Sequence, residues 1–220
     1  MIQEKLSPPN HQDLTNTYNN MGITYYENND YQNAILSYEK ARTISEKYLT
    51  NDESSLTTTY YNMAVAYNAM NDKSNAFSFY EKTLELRENN FATNDSLLAN
   101  IYSTIGSIYD STGKYSNAID CYQKAMVIEE NVSPKHEHPL AITYNNTAVA
   151  YQQMGNNNNA LIFYEKARSI LENTEAINNL NLATIVLGYL FTLELTGDAV
   201  FNCSTQKEIH AEYMCQTASI

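Results

Sequence analysis

Tyrosine recurs along this chain at a fixed interval of 42 residues, and that interval constrains the fold more than any other feature. Tyr18, Tyr60, Tyr102 and Tyr144 form one column; Tyr25, Tyr67, Tyr109 and Tyr151 form a second; Tyr38, Tyr80, Tyr122 and Tyr164 form a third. Ala34, Ala76, Ala118 and Ala160 keep the same spacing, as do Lys40, Lys82, Lys124 and Lys166. Four units therefore run in one register without an insertion. Self-similarity at such a period is the signature of a repeat array, in which each unit buries its apolar face only against its neighbours.

Each unit reads as two helices. In the first, Leu14, Tyr18, Met21, Gly22 and Tyr25 fall on one stripe of a 3.6-residue helix. Asn28-Asn29-Asp30 supplies turn chemistry, and Tyr31, Ala34, Ile35, Tyr38, Ala41 and Ile44 form the second stripe. Only 6 Gly and 4 Pro in 220 residues leave few helix breakers, which favours an all-α chain. Small residues (Gly22, Ala64, Gly106, Ala148) face the alanine column where two helix axes must approach closely. Tyrosine hydroxyls need water or a polar partner, so the tyrosines are expected at the rim of the core.

The spacing of Tyr18, Met21, Gly22, Tyr25, Ala34, Tyr38 and Ala41 resembles the tetratricopeptide repeat, with Tyr in place of the usual leading Trp. The family's proline near the end of the second helix is absent, and Glu46 stands there. The 42-residue period is similar to that of the kinesin-light-chain-like subclass, and Leu-Gly-Asn-type polarity adaptors carry similar long repeats. The strings TYNNMGITYYENNDYQNAILSYEKA and HPLAITYNNTAVAYQQMGNNNNALIFYEKA hold the likeness, which spans about residues 13 to 198. It implies an all-α, right-handed α-solenoid of four helix pairs plus a C-terminal closing helix.

The register divides the chain into a remnant of a preceding repeat or linker (1–12), four repeats (13–54, 55–96, 97–138, 139–180), a closing helix (181–198) and an atypical tail (199–220). Ile2-Gln3-Glu4-Lys5 stands one period before Ile44-Ser45-Glu46-Lys47, which places it in the tail of a second helix. Leu182 and Gly197 keep register with Leu140 and Gly155, while the alanine and tyrosine columns end after Asp198.

A net charge of −12, with no local Lys/Arg cluster, disfavours nucleic acid and anionic membranes as partners. Three cysteines without a CxxC pair and an N-terminus without an apolar core point to a soluble cytoplasmic protein. His136 and His138 lie in a linker with no further His or Cys nearby, so no metal is expected. Cys121 occupies the register of Ser37 and Phe79, a packing position. No phosphate loop or nucleophile elbow is present, and neither catalysis nor a cofactor is expected.

The expected work is therefore to hold a protein or peptide on a concave face lined by first helices. With the anchor stripe inward, Asn16, Asn19, Asn20, Tyr61, Asn62, Asn100, Ser103, Asn145, Asn146 and Gln152 fall on that face. Amides donate and accept at once, which suits an extended peptide backbone. None of the 13 Lys and Arg lies in a first helix (14–28, 56–70, 98–112, 140–154, 182–196). Tetratricopeptide chaperone adaptors grip carboxylates with such cations, and kinesin light chains use basic groove residues on acidic cargo. The resemblance thus implies the fold more than either of those functions. The alternative is a repeat module of a larger assembly: a cargo adaptor, or the regulatory region of an enzyme.

Overall fold

The computed structural model describes residues 10–49, 53–88, 96–131, 137–173 and 179–196, so the expected remnant before Asn10 and the tail after Thr196 lie outside the described residues. Nine helices occupy the described residues: α1 (His11–Glu27), α2 (Tyr31–Tyr48), α3 (Glu53–Ala69), α4 (Lys73–Glu88), α5 (Ser96–Ser111), α6 (Tyr115–Asn131), α7 (Glu137–Gln153), α8 (Asn157–Asn173) and α9 (Asn179–Thr196). No strand occurs among them. The helices α1 to α4 form one compact unit and α5 to α9 a second. Within each unit a helix packs on its sequence neighbour, and α1 meets α3 as α5 meets α7 and α7 meets α9.

The first helices start two or three residues earlier than the stripes indicate. In α1 the reason is a local cap: the Asn10 side chain accepts the Gln12 amide and its Nδ2 donates to Asp13 at 2.8 Å. The turns inside each pair repeat one geometry. Asn29, Asn71, Gly113 and Gly155, one period apart, take φ of 60°, 59°, 75° and 74°. That left-handed region suits Gly and Asn and closes the preceding helix. The next amide bonds back to the Tyr25-column carbonyl each time: Asp30 to Tyr25, Asp72 to Tyr67, Lys114 to Tyr109 and Asn156 to Tyr151, at 2.9–3.0 Å. Asp30 and Asp72 then cap the following helix through Asn33 and Asn75.

Expectation and structure part on the tyrosines. The Tyr38, Tyr80, Tyr122 and Tyr164 column lies at the centre of the core, with Tyr122 only 1% exposed. Their rings fill the room left by small residues of the first helix. A β carbon on Gly106 would sit 2.5 Å from Tyr122 Cε1, and one on Gly22 would collide with Tyr38. Buried hydroxyls find partners there: Tyr122 donates to Ser107 and Tyr164 to Gln152. The lysine column also has a role. Lys40, Lys82, Lys124 and Lys166 sit 5.0–5.4 Å over the rings of Tyr18, Tyr60, Tyr102 and Tyr144, a cation–π contact that keeps the ammonium in water.

The buried stripe of α1 also differs from the expected one. Thr15, Asn19 and Gly22 are buried, whereas Leu14, Met21 and Tyr25 are more than a third exposed. The cause is position in the register. Thr59 and Met63 of α3, which packs on α1 and α2, are fully buried, and their counterparts Thr17 and Met21 on α1 are exposed. On α9, Ile185 and Thr192 are buried, while Leu187, Phe191 and Leu195 form an exposed stripe. No described helix is long and apolar enough to cross a membrane.

Candidate functional site

The ten residues expected on the binding face fall into columns with different surroundings. Asn16 and Asn100 share a register with Thr58 and Ile142, and all four are exposed. Tyr61, Ser103 and Asn145 are half-buried in the register of Asn19, which is buried. Asn20 is exposed and lines an open depression on α1 with Thr17, Met21, Thr24 and Tyr25. Its counterparts Asn62 and Asn146 are half-buried. Gln152 is engaged internally: it donates to Thr192 at 2.8 Å and accepts from Tyr164. Buried Asn62 Nδ2 and Asn145 Oδ1 have no partner among the described residues.

The α1–α3 junction of the first unit has its counterpart, two periods on, in α5–α7 of the second, and the two copies differ. In the first unit, α1 meets α3 through polar side chains that satisfy one another. Asn19 Nδ2 donates to Thr59 at 3.0 Å, and the Thr59 hydroxyl lies 3.2 Å from Asn19 Oδ1. Gln12 reaches both Asn16 and Ser55 at 3.4 Å, and Ser45 meets Thr15 at 3.5 Å. Asn19, expected to face a ligand, is thus an internal clamp, because the buried stripe includes it.

In the second unit the corresponding positions are Ser96 for Gln12, Ser103 for Asn19 and Glu129 for Ser45, with Pro139, Ile142 and Thr143 for Ser55, Thr58 and Thr59. Two long amides have become serines, and a serine has become a glutamate. The result is a cavity of about 230 Å³ lined by Ser96, Asn100, Ser103, Glu129, Pro139, Ile142 and Thr143. A water needs about 10–15 Å³ of such space, so the cavity has room for a side chain or several waters.

Glu129 is the charged group of this cavity and is 8% exposed. Its Oε1 accepts from the Thr143 hydroxyl at 3.2 Å, a proton shared with the Pro139 carbonyl at the same distance. Its Oε2 is buried with no partner among the described residues. Burial holds the carboxyl up at about 6, against an ordinary 4.5, and the Thr143 bond lowers it only in part. Two turns along α5 from Ser103, burial also raises the Asp110 carboxyl, whose Oδ1 is likewise unpartnered. No Lys or Arg lies on any of the five first helices as they are observed.

Glu129 was missed from the sequence because it lies on a second helix, outside the stripe taken as the binding face. The signal was its column: Ser45, Arg87, Glu129 and Leu171 share no chemistry, where neighbouring columns repeat theirs. Asn100 and Ser103 were found, and the structure brings both to the cavity wall.

Helix pairs that pack on their sequence neighbours within each unit define a helical-repeat protein of the α-solenoid class. The tetratricopeptide repeat profile matches residues 13–89, 55–131 and 97–173, and the chain belongs to that family. No curated protein matches it significantly in sequence. Among solved structures, the putative kinesin light chain of Podosopora anserina, with nearly identical TPR-like repeats, superposes with a TM-score of 0.74 at 15% identity, over 96% of this chain and 98% of that one. BtubC (BKLC) from P. vanneervenii gives 0.71 at 18% identity, over 93% and 92%. The apo form of RapI gives 0.72 at 17% identity, over 96% of this chain and 54% of that one. The fold is thus that of kinesin-light-chain-like tetratricopeptide repeats. Repeats of this kind serve as protein-interaction scaffolds.

Proposed function

We propose that this chain is a non-catalytic scaffold that binds a peptide or protein partner on the surface of its first helices. The observation that carries the reading is the exposed column Asn16, Thr58, Asn100 and Ile142 beside half-buried Tyr61, Ser103 and Asn145. In each unit these polar groups stay accessible at one register position of its first helices. Amides and hydroxyls there can bond a partner's backbone, and Ile142 and Tyr61 add apolar contact. The four repeats 13–54, 55–96, 97–138 and 139–180, with the closing helix 181–198, present this surface in the cytoplasm. Nucleic acid, membranes and metal ions are not its ligands.

Selection of a random peptide library displayed on phage against the whole chain tests this. Enriched peptides should bind the wild type and lose about tenfold in affinity in an Asn16→Ala/Asn100→Ala variant, since each hydrogen bond is worth about 0.5–1.5 kcal/mol. A Leu36→Ala change on exposed α2 should leave binding unaltered. Peptides that ignore the first pair of changes and respond to Leu36→Ala would move the site to the second helices.

A further inference from the structure

The two junctions between first helices provide an internal comparison. One chain builds the same contact twice. In α1–α3 it closes the contact with its own amides, and in α5–α7 it leaves a cavity. Gln12 and Asn19 are the groups that close the first copy, and Ser96 and Ser103 are too short to do so in the second. The shortening coincides with the arrival of a carboxylate, Glu129, more than nine-tenths buried and with one oxygen unpartnered among the described residues. A buried charge without a partner costs stability and gains nothing from packing. Leu171, in the same register one repeat later, shows that an apolar residue serves there.

We infer that the α5–α7 cavity receives a lysine side chain of the bound partner, with its ammonium on Glu129 Oε2. The inference rests on the partner-binding reading above and names the chemistry of that partner. Oε1 is already taken by Thr143, which leaves a single free carboxylate oxygen. A guanidinium wants two oxygens in a fork, whereas an ammonium bonds one and turns its remaining donors elsewhere. The Asn100, Ser96 and Ser103 side chains lining the same cavity offer acceptors for those donors, and Ile142 and Pro139 offer apolar wall for the methylene stem. Asp110 lies two turns further along α5, with its carboxyl raised by burial and its Oδ1 without a partner among the described residues.

The test uses the full chain and two small probes, Nα-acetyl-lysine methylamide and its norleucine counterpart, which lacks the charge. Binding is followed by NMR at the Ser96, Asn100 and Ser103 amides and at the Glu129 carboxyl carbon. The lysine probe should bind, should lower the Glu129 pKa, and should bind at least about tenfold more weakly to Glu129→Gln, the scale of one charged hydrogen bond. Ser103→Asn restores the amide that closes the first junction; this variant should stay folded, with an undiminished melting temperature, and lose the probe. Norleucine binding as well as lysine, or unaltered lysine binding in Glu129→Gln, overturns the inference. Free n-butylammonium binding as tightly as the lysine probe would assign the cavity to small amines and overturn the polypeptide source. The two readings fail separately. Library peptides that bind Glu129→Gln like wild type but weaken in Asn16→Ala/Asn100→Ala would sink the lysine pocket and leave the partner surface standing. A seated lysine probe with no library peptide bound would instead remove the polypeptide partner.

Discussion

The Tyr122 ring lies so close over Gly106 that a β carbon there would stand 2.5 Å from Cε1. Two effects of similar size compete at this site. Replacing glycine by alanine inside a helix gains about 1 kcal/mol of propensity, while overpacking costs about 1–3 kcal/mol. The chain itself indicates the outcome, since Ala64 and Ala148 stand at the same position in other pairs, fully buried with Tyr80 and Tyr164. The ring can therefore shift for a methyl group. Gly106→Ala should change stability by no more than about 1 kcal/mol, whereas branched Gly106→Val should exceed the usual overpacking range. Urea unfolding of both variants checks this; equal losses would mean the ring has no room to move.

Asn19 and Asn16 separate clamp from surface. Asn19 is buried and paired with Thr59, so Asn19→Ala leaves a buried hydroxyl without its amide partner and should cost about 1–3 kcal/mol. Asn16 is exposed, and Asn16→Ala should stay within about 0.5 kcal/mol. Melting temperatures decide between them. Equal shifts would place Asn19 on the surface with Asn16.

These two asparagines also show what the sequence could reveal. The tyrosine and alanine columns exposed the repeat, the helix pairs and the ninth helix, because each depends only on local period and register. Which side of α1 is buried depends on a tertiary fact, how α2 and α3 pack against it, so Thr15 and Asn19 are buried while Leu14, Met21 and Tyr25 of the sequence stripe are exposed. Tyr122 shows the same limit. A hydroxyl is a reason to sit at the rim only until a partner such as Ser107 is available inside. Asn100 and Ser103 were legible as a polar edge, but the cavity behind them was not. It arises from a comparison of side-chain lengths across helices, which periodicity alone does not measure.

The lysine column should be replaceable at small cost. Lys124 lies 5.0 Å over Tyr102, and exposed cation–π contacts contribute about 0.5–1 kcal/mol. Lys124→Met keeps the stem and removes the charge, so it should cost less than about 1 kcal/mol and leave the circular dichroism spectrum unchanged. A larger loss would show that the ammonium has a second partner.

The last expectation concerns pH and follows from Glu129. Its carboxyl titrates at about 6 in the folded chain against an ordinary 4.5, with burial as the first cause and the Thr143 bond opposing it. A group raised on folding binds its proton more tightly in the folded state. Its contribution is therefore fully present below about pH 4.5 and is lost as pH rises through about 6. The shift corresponds to about 2 kcal/mol. The chain carries 25 Asp and Glu residues, so the wild type alone would mix several contributions. The difference between wild type and Glu129→Gln isolates one. Urea unfolding of both at about pH 4.5 and pH 7.5 should show the wild type losing about 2 kcal/mol relative to the glutamine variant over that window. The sign matters more than the size: a wild type that gains relative to the variant as pH rises would mean that Glu129 is ion-paired in the free protein, and the cavity already holds its cation.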